Sequence, residues 1–320
     1  MSKDATTIAA IAIGRNEGER LARCLASLKG AVSRIVYVDS GSTDGSIEMA
    51  KNIGADVVEL DTSRPFTAAR ARNAGLEKLA ETGLPPLVQF IDGDCELLPQ
   101  WIGPASAFLA EHPDIAAICG RRRERFPERT IWNGLIDQEW DTPVGEALAC
   151  GGDALIRTDA LEAVGRFDLT LIAGEEPELC VRLRRAGWKI WRLDAEMTLH
   201  DAAMHRFSQW WSRSVRAGYA YAEGAAMHGA PPERHRVPHL RRALIWGLGL
   251  PLIIVVGGVI SPWAWLMLAA YPLQILRLSP RLGLRRAMWL SIAKFAEAQG
   301  ALTYLFRSLR GQTGQLIEYK

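Results

Sequence analysis

The 320-residue sequence lacks the short motifs that most often mark a nucleotide or metal site. It has no P-loop, and the stretch IAIGRNEGER offers only Gly14 and Gly18 where a dinucleotide-binding fingerprint needs three spaced glycines. Its five cysteines contain no C-x-x-C pair, so we expect reduced thiols packed as small apolar side chains. Any nucleotide site must therefore be built on side chains rather than on a glycine-rich phosphate loop.

Acidic residues are scarce in the C-terminal part of the chain. Residues 201–320 carry 15 Lys/Arg against 5 Asp/Glu, a net charge of +10, whereas residues 1–200 carry a net charge of −8. The N-terminal twenty residues have only a short apolar stretch and do not resemble a secretory signal, so we expect the acidic part to stay in the cytoplasm. The basic part encloses a long apolar run, which favours a membrane partner and no nucleic acid.

That apolar run, 243–276, contains no charged residue. As one helix it would be about 51 Å long against a bilayer core of ~30 Å, and Ser261-Pro262 interrupts it near the middle. Arginines border both ends, so a helical hairpin that keeps both ends on the cytoplasmic side is the predicted structure. A re-entrant pair and a buried helix pair of a soluble core remain alternatives.

Two further C-terminal segments have helical periodicity. Apolar side chains recur through 285–310 among basic ones, which predicts an amphipathic helix on the membrane surface; Lys294 and Glu297 make a third span costly. Tryptophans in 201–240 favour an interfacial helix followed by a linker. The predicted organisation is a catalytic domain over 1–200, this linker region, and a membrane-associated region over 241–320.

Apolar runs alternate with helical patterns through the first two hundred residues, as in a mainly parallel α/β sheet. The predicted strands are 7–13, 34–39, 56–60 and 86–92, and the predicted helices include 17–30 and 66–83. Ligands of such sheets bind beyond the carboxyl ends of the strands. This rule points to Asp39 and to the pair Asp92 and Asp94, whose oxygens suit a hard divalent cation. Ordinary turns with solvated acids would use the same residue types.

Six stretches together resemble glycosyltransferase family 2. They occur in the family's order and approximate spacing across residues 7–192: IAIGRNEGERLARCLASL, VYVDSGSTDGS, ARARNAGL, FIDGDCEL, GGDALIRTDALEAVGRFD and GEEPELCVRLRRAGW. The resemblance implies a GT-A fold, a nucleoside-diphosphate sugar as donor, a divalent cation (Mg²⁺ or Mn²⁺) and inversion at the anomeric carbon.

The resemblance also implies roles for individual residues on the donor side of the site. Asp39 would contact the nucleobase, Arg70 the base or the diphosphate, Asp92 the ribose side and Asp94 the metal. Two further residues complete the predicted donor side: Asn73, beside the arginines of ARARNAGL, and Gly152, where the backbone can approach a ligand closely. The chain departs from the family at Ser40, which occupies the second position of the usual acidic pair.

The acceptor hydroxyl must lose a proton as it attacks the anomeric carbon, which requires a base. By match to the family, Glu176 is this base and Glu175 is a neighbour that orients it or holds the acceptor. Both acids would also suit the first turn of a helix electrostatically. His200 is a candidate third metal ligand or diphosphate contact, although a single histidine is often structural.

The predicted protein is an inverting, metal-dependent glycosyltransferase of exopolysaccharide synthesis. It would transfer a sugar to a polyprenyl-diphosphate-linked saccharide at the bacterial inner membrane, with its catalytic domain in the cytoplasm. An enzyme that makes polyprenyl-phosphate sugars, similar to dolichyl-phosphate mannose synthases, is the alternative activity. A non-catalytic membrane scaffold of the same fold is the alternative from another class.

Overall fold

The computed structural model describes residues 7–311, which form two compact units divided between Met204 and His205. The first unit is a mixed α/β unit, and the second is helical.

One nine-stranded sheet organises the first unit. Its strands are β1 (Ile8–Gly14), β2 (Arg34–Asp39), β3 (Asp56–Glu59), β4 (Leu87–Asp92), β5 (Cys95–Leu97), β6 (Ile115–Glu124), β7 (Gly145–Glu146), β8 (Ala154–Arg157) and β9 (Lys189–His200). The order is β3-β2-β1-β4-β8-β6-β9-β5, and β7 pairs with β9. Strands β1 to β4 are mutually parallel and β6 runs parallel to β9, whereas β8 is antiparallel to both of its neighbours.

Seven helices flank this sheet: α1 (Glu19–Leu28), α2 (Ser46–Ile53), α3 (Ala68–Ala80), α4 (Ile102–Glu111), α5 (Ile131–Glu139), α6 (Thr158–Ala163) and α7 (Glu175–Arg185). Helix α1 shows why they pack: Leu21, Cys24, Leu25 and Leu28 recur at helical spacing and are completely buried. Each such leucine contributes roughly 1.5–3 kcal/mol by leaving water. The mixed α/β sheet with flanking helices agrees with the predicted fold class.

Strand register brings the sequence-predicted acids to one edge of the sheet. Gly14 at the end of β1 pairs with Asp39 on one side, and the preceding Ile13 pairs with Asp92 on the other. Because these three strands are parallel, their carboxyl ends lie together. Gly93 permits the close approach that follows, since its N–H donates to the Ile13 carbonyl at 2.7 Å.

The second unit consists of helices: α8 (Phe207–His228), α9 (Val237–Leu244), a π-helical turn (Ile245–Gly249), α10 (Leu250–Ile260), a 3₁₀ segment (Pro262–Ala269), α11 (Ala270–Leu282) and α12 (Leu284–Leu309). Among the described residues, Val237–Ile260 is the one helix long and apolar enough to cross a membrane by length and composition. At ~1.5 Å per residue its 24 residues measure about 36 Å.

The apolar run breaks where the sequence suggested. Helix α10 ends at Ile260, and Ser261 is extended before Pro262 opens the 3₁₀ segment. The chain then folds back, because the Tyr271 hydroxyl donates to the Trp246 carbonyl at 2.8 Å. The second half of the run is divided between the 3₁₀ segment and the start of α11. Whether the hairpin over 243–276 enters a bilayer stays a prediction.

Helix α12 packs through small residues rather than through its large apolar ones. The residues it buries are Ala287, Ala293, Ala296, Glu297, Ala298, Gly300 and Ala301. Leu305, Phe306 and Leu309 are exposed instead. Lys294 pairs with Glu297 at 2.6 Å, so the two charges that weighed against a span neutralise each other. The exposed apolar face remains available to a membrane surface, as the sequence predicts for 285–310.

Helices α8 and α12 approach so closely that only glycine fits at the contact. A Cβ on Gly218 would lie 1.9 Å from the Glu297 carbonyl oxygen, and one on Gly300 would lie 1.9 Å from the Val215 carbonyl oxygen. The atoms in the way are backbone, which cannot rotate aside. This pair of glycines therefore sets the helix spacing.

Replacing Gly218 with alanine is expected to destabilise the second unit by about 1–3 kcal/mol or more, because the helices must separate. Thermal unfolding of the detergent-solubilised protein measures the effect. Gly103→Ala in α4 is the matched control, since no atom lies within 4 Å of the new Cβ. An unchanged unfolding midpoint for Gly218→Ala would contradict the packing described.

Candidate active site

Asp39 stabilises the turn after β2 and is itself almost fully buried. One carboxylate oxygen accepts from the Tyr37 hydroxyl at 2.8 Å, and the other accepts from the backbone N–H groups of Gly41 and Ser42 at 2.8 and 2.7 Å. Burial, followed by the Asp39 charge, raises the pKa of Tyr37, so this hydroxyl remains a donor. The structure therefore places Asp39 at the predicted strand end, where it fixes the backbone of the loop VYVDSGSTDGS.

Asp92 lies between two arginines, of which Arg72 is buried and Arg122 is half-buried. Its oxygens pair with Arg72 of α3 at 3.0 Å and with Arg122 of β6 at 3.2 Å. Arg122 also pairs with the fully buried carboxylate of Asp153 at 2.7 Å. Burial alone would raise the pKa of Asp92, but the two guanidinium groups outweigh it and hold that pKa below its ordinary value. Asp92 is therefore a carboxylate at neutral pH.

Gly152 lies directly against this network. A Cβ at this position would stand 3.0 Å from both Arg72 Nη2 and Asp92 Oδ2. The Gly152 carbonyl also accepts from Arg72 Nη2 at 3.4 Å. The groups that lie close to Gly152 are therefore the side chains of Arg72 and Asp92. A side chain at position 152 would displace Arg72 from Asp92.

Asp94, near the middle of the first unit's sequence, meets His200, near its end. Cys95 pairs with His200 in the β5–β9 ladder, which places Asp94 Oδ2 3.2 Å from His200 Nε2. His200 Nδ1 lies 3.4 Å from Glu124 Oε2 on its other side. Burial alone would lower the pKa of His200, but these two carboxylates outweigh it and raise that pKa.

The chemistry of this cluster fits a divalent cation. It offers a buried carboxylate oxygen and an imidazole nitrogen, with Glu124 placed as an outer carboxylate that fixes the ring orientation. Asp94, Cys95 and His200 present donor atoms within 4.8 Å of one another. The two residues named from the sequence as metal ligands are thus adjacent in the structure.

Glu175 and Glu176 begin helix α7 and face different partners. Glu175 pairs with Arg72, the same arginine that contacts Asp92. Glu176 Oε1 accepts from the backbone N–H of Cys150 at 2.7 Å and from the thiols of Cys150 and Cys180 at 3.2 and 3.0 Å. Within the described residues, Glu176 has no cationic partner and its Oε2 has no hydrogen-bond donor.

Two of the sequence-predicted residues lie apart from this cluster. Arg70 donates to the backbone carbonyls of Arg64 and Pro65, at 3.1 and 3.4 Å. Asn73 Nδ2 donates to the Phe167 carbonyl at 2.8 Å, and Asn73 Oδ1 accepts from the Phe167 N–H at 3.1 Å. Asn73 therefore joins α3 to the loop after α6 rather than facing Asp92.

The residues that sequence reasoning missed are mostly arginines and their partners. Arg72 was noted only as part of the ARARNAGL stretch, and Arg122, Glu124 and Asp153 received no role. The signal for Arg122 was the unusual run of three arginines in β6, because alternate side chains of a strand face opposite sides. Their pairing across the sheet is nonlocal and has no sequence signature.

Comparison with known sequences finds similarity to one family over about half of the chain. Residues 11–165 match the profile of Glycosyl transferase family 2. The chain is 25% identical over 230 residues to the succinoglycan biosynthesis protein ExoA of Rhizobium meliloti, a match covering 68% of this chain and 67% of that protein. It is 27% identical over 236 residues to the pre-mycofactocin glycosyltransferase of Mycobacterium tuberculosis, covering 67% of this chain and 46% of that protein.

Solved structures agree on the fold. A mannosyltransferase, PcManGT from Pyrobaculum calidifontis in complex with GDP-Man and Mn²⁺, superposes with a TM-score of 0.64 at 17% identity, covering 94% of this chain and 88% of that one. Glucosyl-3-phosphoglycerate synthase from Mycobacterium tuberculosis gives 0.51 at 18% identity, covering 71% and 81%.

The sheet, with acids at its strand ends, agrees with the GT-A fold of these solved structures. Over residues 11–165, which are 155 of its 320 residues, the chain is similar to glycosyltransferase family 2. The profile match ends before Glu175 and Glu176, so the roles of these two residues stay predictions.

Proposed function

We propose that the protein is an inverting, metal-dependent glycosyltransferase that moves a sugar from a nucleoside-diphosphate sugar to a lipid-linked saccharide. One observation carries the proposal: Arg72 contacts both Asp92, at the end of β4, and Glu175, at the start of α7. This contact supports a single site in which Asp92 lies near the start of α7, where the predicted base Glu176 follows Glu175.

Asp94 and His200 are proposed to hold the divalent cation. When bound, the cation neutralises charge on the donor's diphosphate and so helps it to leave. Glu124 keeps the His200 ring in place through its Nδ1 contact at 3.4 Å. Asp92, held as a carboxylate by Arg72 and Arg122, is proposed to bind the ribose hydroxyls of the donor.

Glu176 is the better placed base of the two glutamates because of its partners. Glu175 is engaged in an ion pair with buried Arg72. Among the described residues, the hydrogen bonds that Glu176 accepts come from neutral groups, the Cys150 N–H and the thiols of Cys150 and Cys180. We assign proton removal to Glu176 and the positioning of Arg72 to Glu175.

The membrane is proposed to supply the acceptor. The second unit exposes large apolar side chains, among them Val259, Ile260 and Trp263 at 85%, 82% and 77% of their full accessibility. Arg241 and Arg242 precede them and suit an anionic lipid surface. Together with the succinoglycan biosynthesis relative, this supports exopolysaccharide assembly at the bacterial inner membrane, on an acceptor that cannot leave the bilayer.

Transfer of radiolabelled sugar into organic-extractable lipid tests this proposal. With purified protein, Mn²⁺ and lipid-linked saccharides, the label should enter the lipid fraction with the saccharide one sugar longer and the anomeric configuration inverted. Label found on bare polyprenyl phosphate would favour the polyprenyl-phosphate alternative. Label that stays water-soluble with every lipid would contradict a lipid acceptor.

A further inference from the structure

We propose that Cys150, Cys180 and Glu176 form a second metal site, selective for a thiophilic cation such as Zn²⁺, and distinct from the Asp94–His200 cluster. The three side chains converge from the loop before β8 and from helix α7. Their donor atoms all lie within 4.8 Å of one another. Two cysteine sulfurs and a carboxylate oxygen are a ligand set typical of zinc.

The distances between donor atoms match a tetrahedral ion. With Zn–S of ~2.3 Å, two sulfurs at tetrahedral vertices stand about 3.8 Å apart; the Cys150 and Cys180 sulfurs are 3.7 Å apart. A sulfur and an oxygen ligand would stand about 3.5 Å apart; the observed separations from Glu176 Oε1 are 3.2 and 3.0 Å. Ligation therefore requires movements of a few tenths of an ångström for the oxygen and almost none between the sulfurs.

The site has a route for entry through a loop. Cys150 and Cys180 are buried, but Cys150 is followed by exposed Gly151 and preceded, two residues earlier, by Leu148, which is 75% exposed. This exposed connection is the side from which we expect a metal ion to reach the thiols. Cys24 and Cys95 are also buried, but their thiols hydrogen-bond to Asp92 and Asp94 instead, and Cys119 lies near Glu176 and Cys180 without joining the cluster of three donor atoms.

Filling the site would withdraw Glu176 from the reaction. The positive charge of Zn²⁺ bound at Oε1 would make the whole carboxylate, including Oε2, a weaker base, so Zn²⁺ should inhibit transfer even when the Asp94–His200 site holds its own cation. This consequence rests on the proposed function of Glu176, whereas metal binding itself does not.

Spectroscopic titration with Co²⁺, followed by competition with Zn²⁺, tests the binding directly on the reduced full-length protein in saturating Mg²⁺. We expect a thiolate-to-cobalt charge-transfer band whose intensity saturates at one Co²⁺ per chain. Zn²⁺ should displace the Co²⁺ and abolish the band. Cys150→Ala and Cys180→Ala should each remove the band. Glu176→Gln, which keeps the fold, should weaken Zn²⁺ binding more than about 100-fold. Loss of a residue that only supports a ligand costs about 10–100-fold, so loss of a ligand itself should cost more. Cys24→Ala is the control and should keep the band.

The outcomes separate the site from the enzyme activity. No thiolate band in the folded wild-type protein, or a band that persists in folded Cys150→Ala and Cys180→Ala, would overturn the site. A band with the expected variants in a protein that transfers no sugar would uphold the site and count against the proposed function. Full transfer activity with Zn²⁺ bound at these thiols would overturn the inferred role of the site in withdrawing Glu176.

Discussion

Glu176→Gln is expected to lower the rate of sugar transfer about 10²–10⁴-fold, the range that a positioned general base supplies. The amide oxygen of glutamine can still accept from the Cys150 N–H, so the start of α7 should keep its structure. What is lost is the group that takes the acceptor's proton. Single-turnover transfer with saturating donor and acceptor measures the rate, and isothermal titration with the nucleotide sugar shows whether donor binding survives.

Glu175→Gln provides the contrast with Glu176→Gln. Glu175 is paired with Arg72, and through it with Asp92, so its loss should weaken donor binding more than the chemical step. Equal loss of rate at saturating donor in both variants would contradict the division of roles. An unchanged rate for Glu176→Gln would remove Glu176 as the base.

Asp94→Asn is expected to have the second largest effect, a loss of transfer of about 10²-fold or more, because a bound cation contributes several kcal/mol to charge stabilisation. His200 Nε2 lies 3.2 Å from Asp94 Oδ2. Because the substituted amide is neutral, His200 would lose this charged partner. Binding of Mn²⁺ is monitored as the loss of the free ion's electron paramagnetic resonance signal, a readout that does not depend on activity. Retained stoichiometric Mn²⁺ binding would contradict Asp94 as a ligand.

Glu124→Gln is the matched variant for the cation site. Glu124 contacts Nδ1 of His200 and is proposed not to touch the cation. The substitution should therefore lower the affinity for Mn²⁺ about 10–100-fold, and saturating Mn²⁺ should restore transfer. Loss of transfer that Mn²⁺ cannot restore would indicate that Glu124 acts on the reaction more directly.

The sequence predicted the elements whose signals are local. The apolar runs that became β1, β2, β3 and β4 were placed within one or two residues, and the parallel pattern was enough to bring Asp39 and Asp92 to the same sheet edge. These predictions succeed because apolar periodicity and strand direction are properties of short stretches.

Side-chain direction was harder to predict. Arg70 and Arg72 are two positions apart on α3 and so point about 200° apart around the helix, which is why Arg72 contacts Asp92 while Arg70 contacts the preceding loop. The family resemblance drew attention to the stretch, whereas the helix face decides which of its two arginines contacts Asp92. In α12 the small residues, rather than the large ones, are buried, because Gly218 and Gly300 demand close helix contact.

The sequence alone did not predict which distant residues meet in the fold. Asp94 and His200 are 106 residues apart, and Cys150 meets Cys180 through a loop and a helix that share no motif. Such pairs depend on the sheet order, in which β9 runs between β6 and β5. His200 was named from its position alone, and the β5–β9 ladder explains why it meets Asp94.

Donor turnover by the purified full-length protein tests the central claim most directly. Nucleotide sugars of several bases are incubated with lipid-linked saccharides, with Mn²⁺ or with a chelator, and the release of nucleoside diphosphate is measured. The account predicts release with at least one donor, dependent on the divalent cation and reduced in Asp94→Asn and Glu176→Gln. Absence of both binding and turnover with every nucleotide sugar would contradict it.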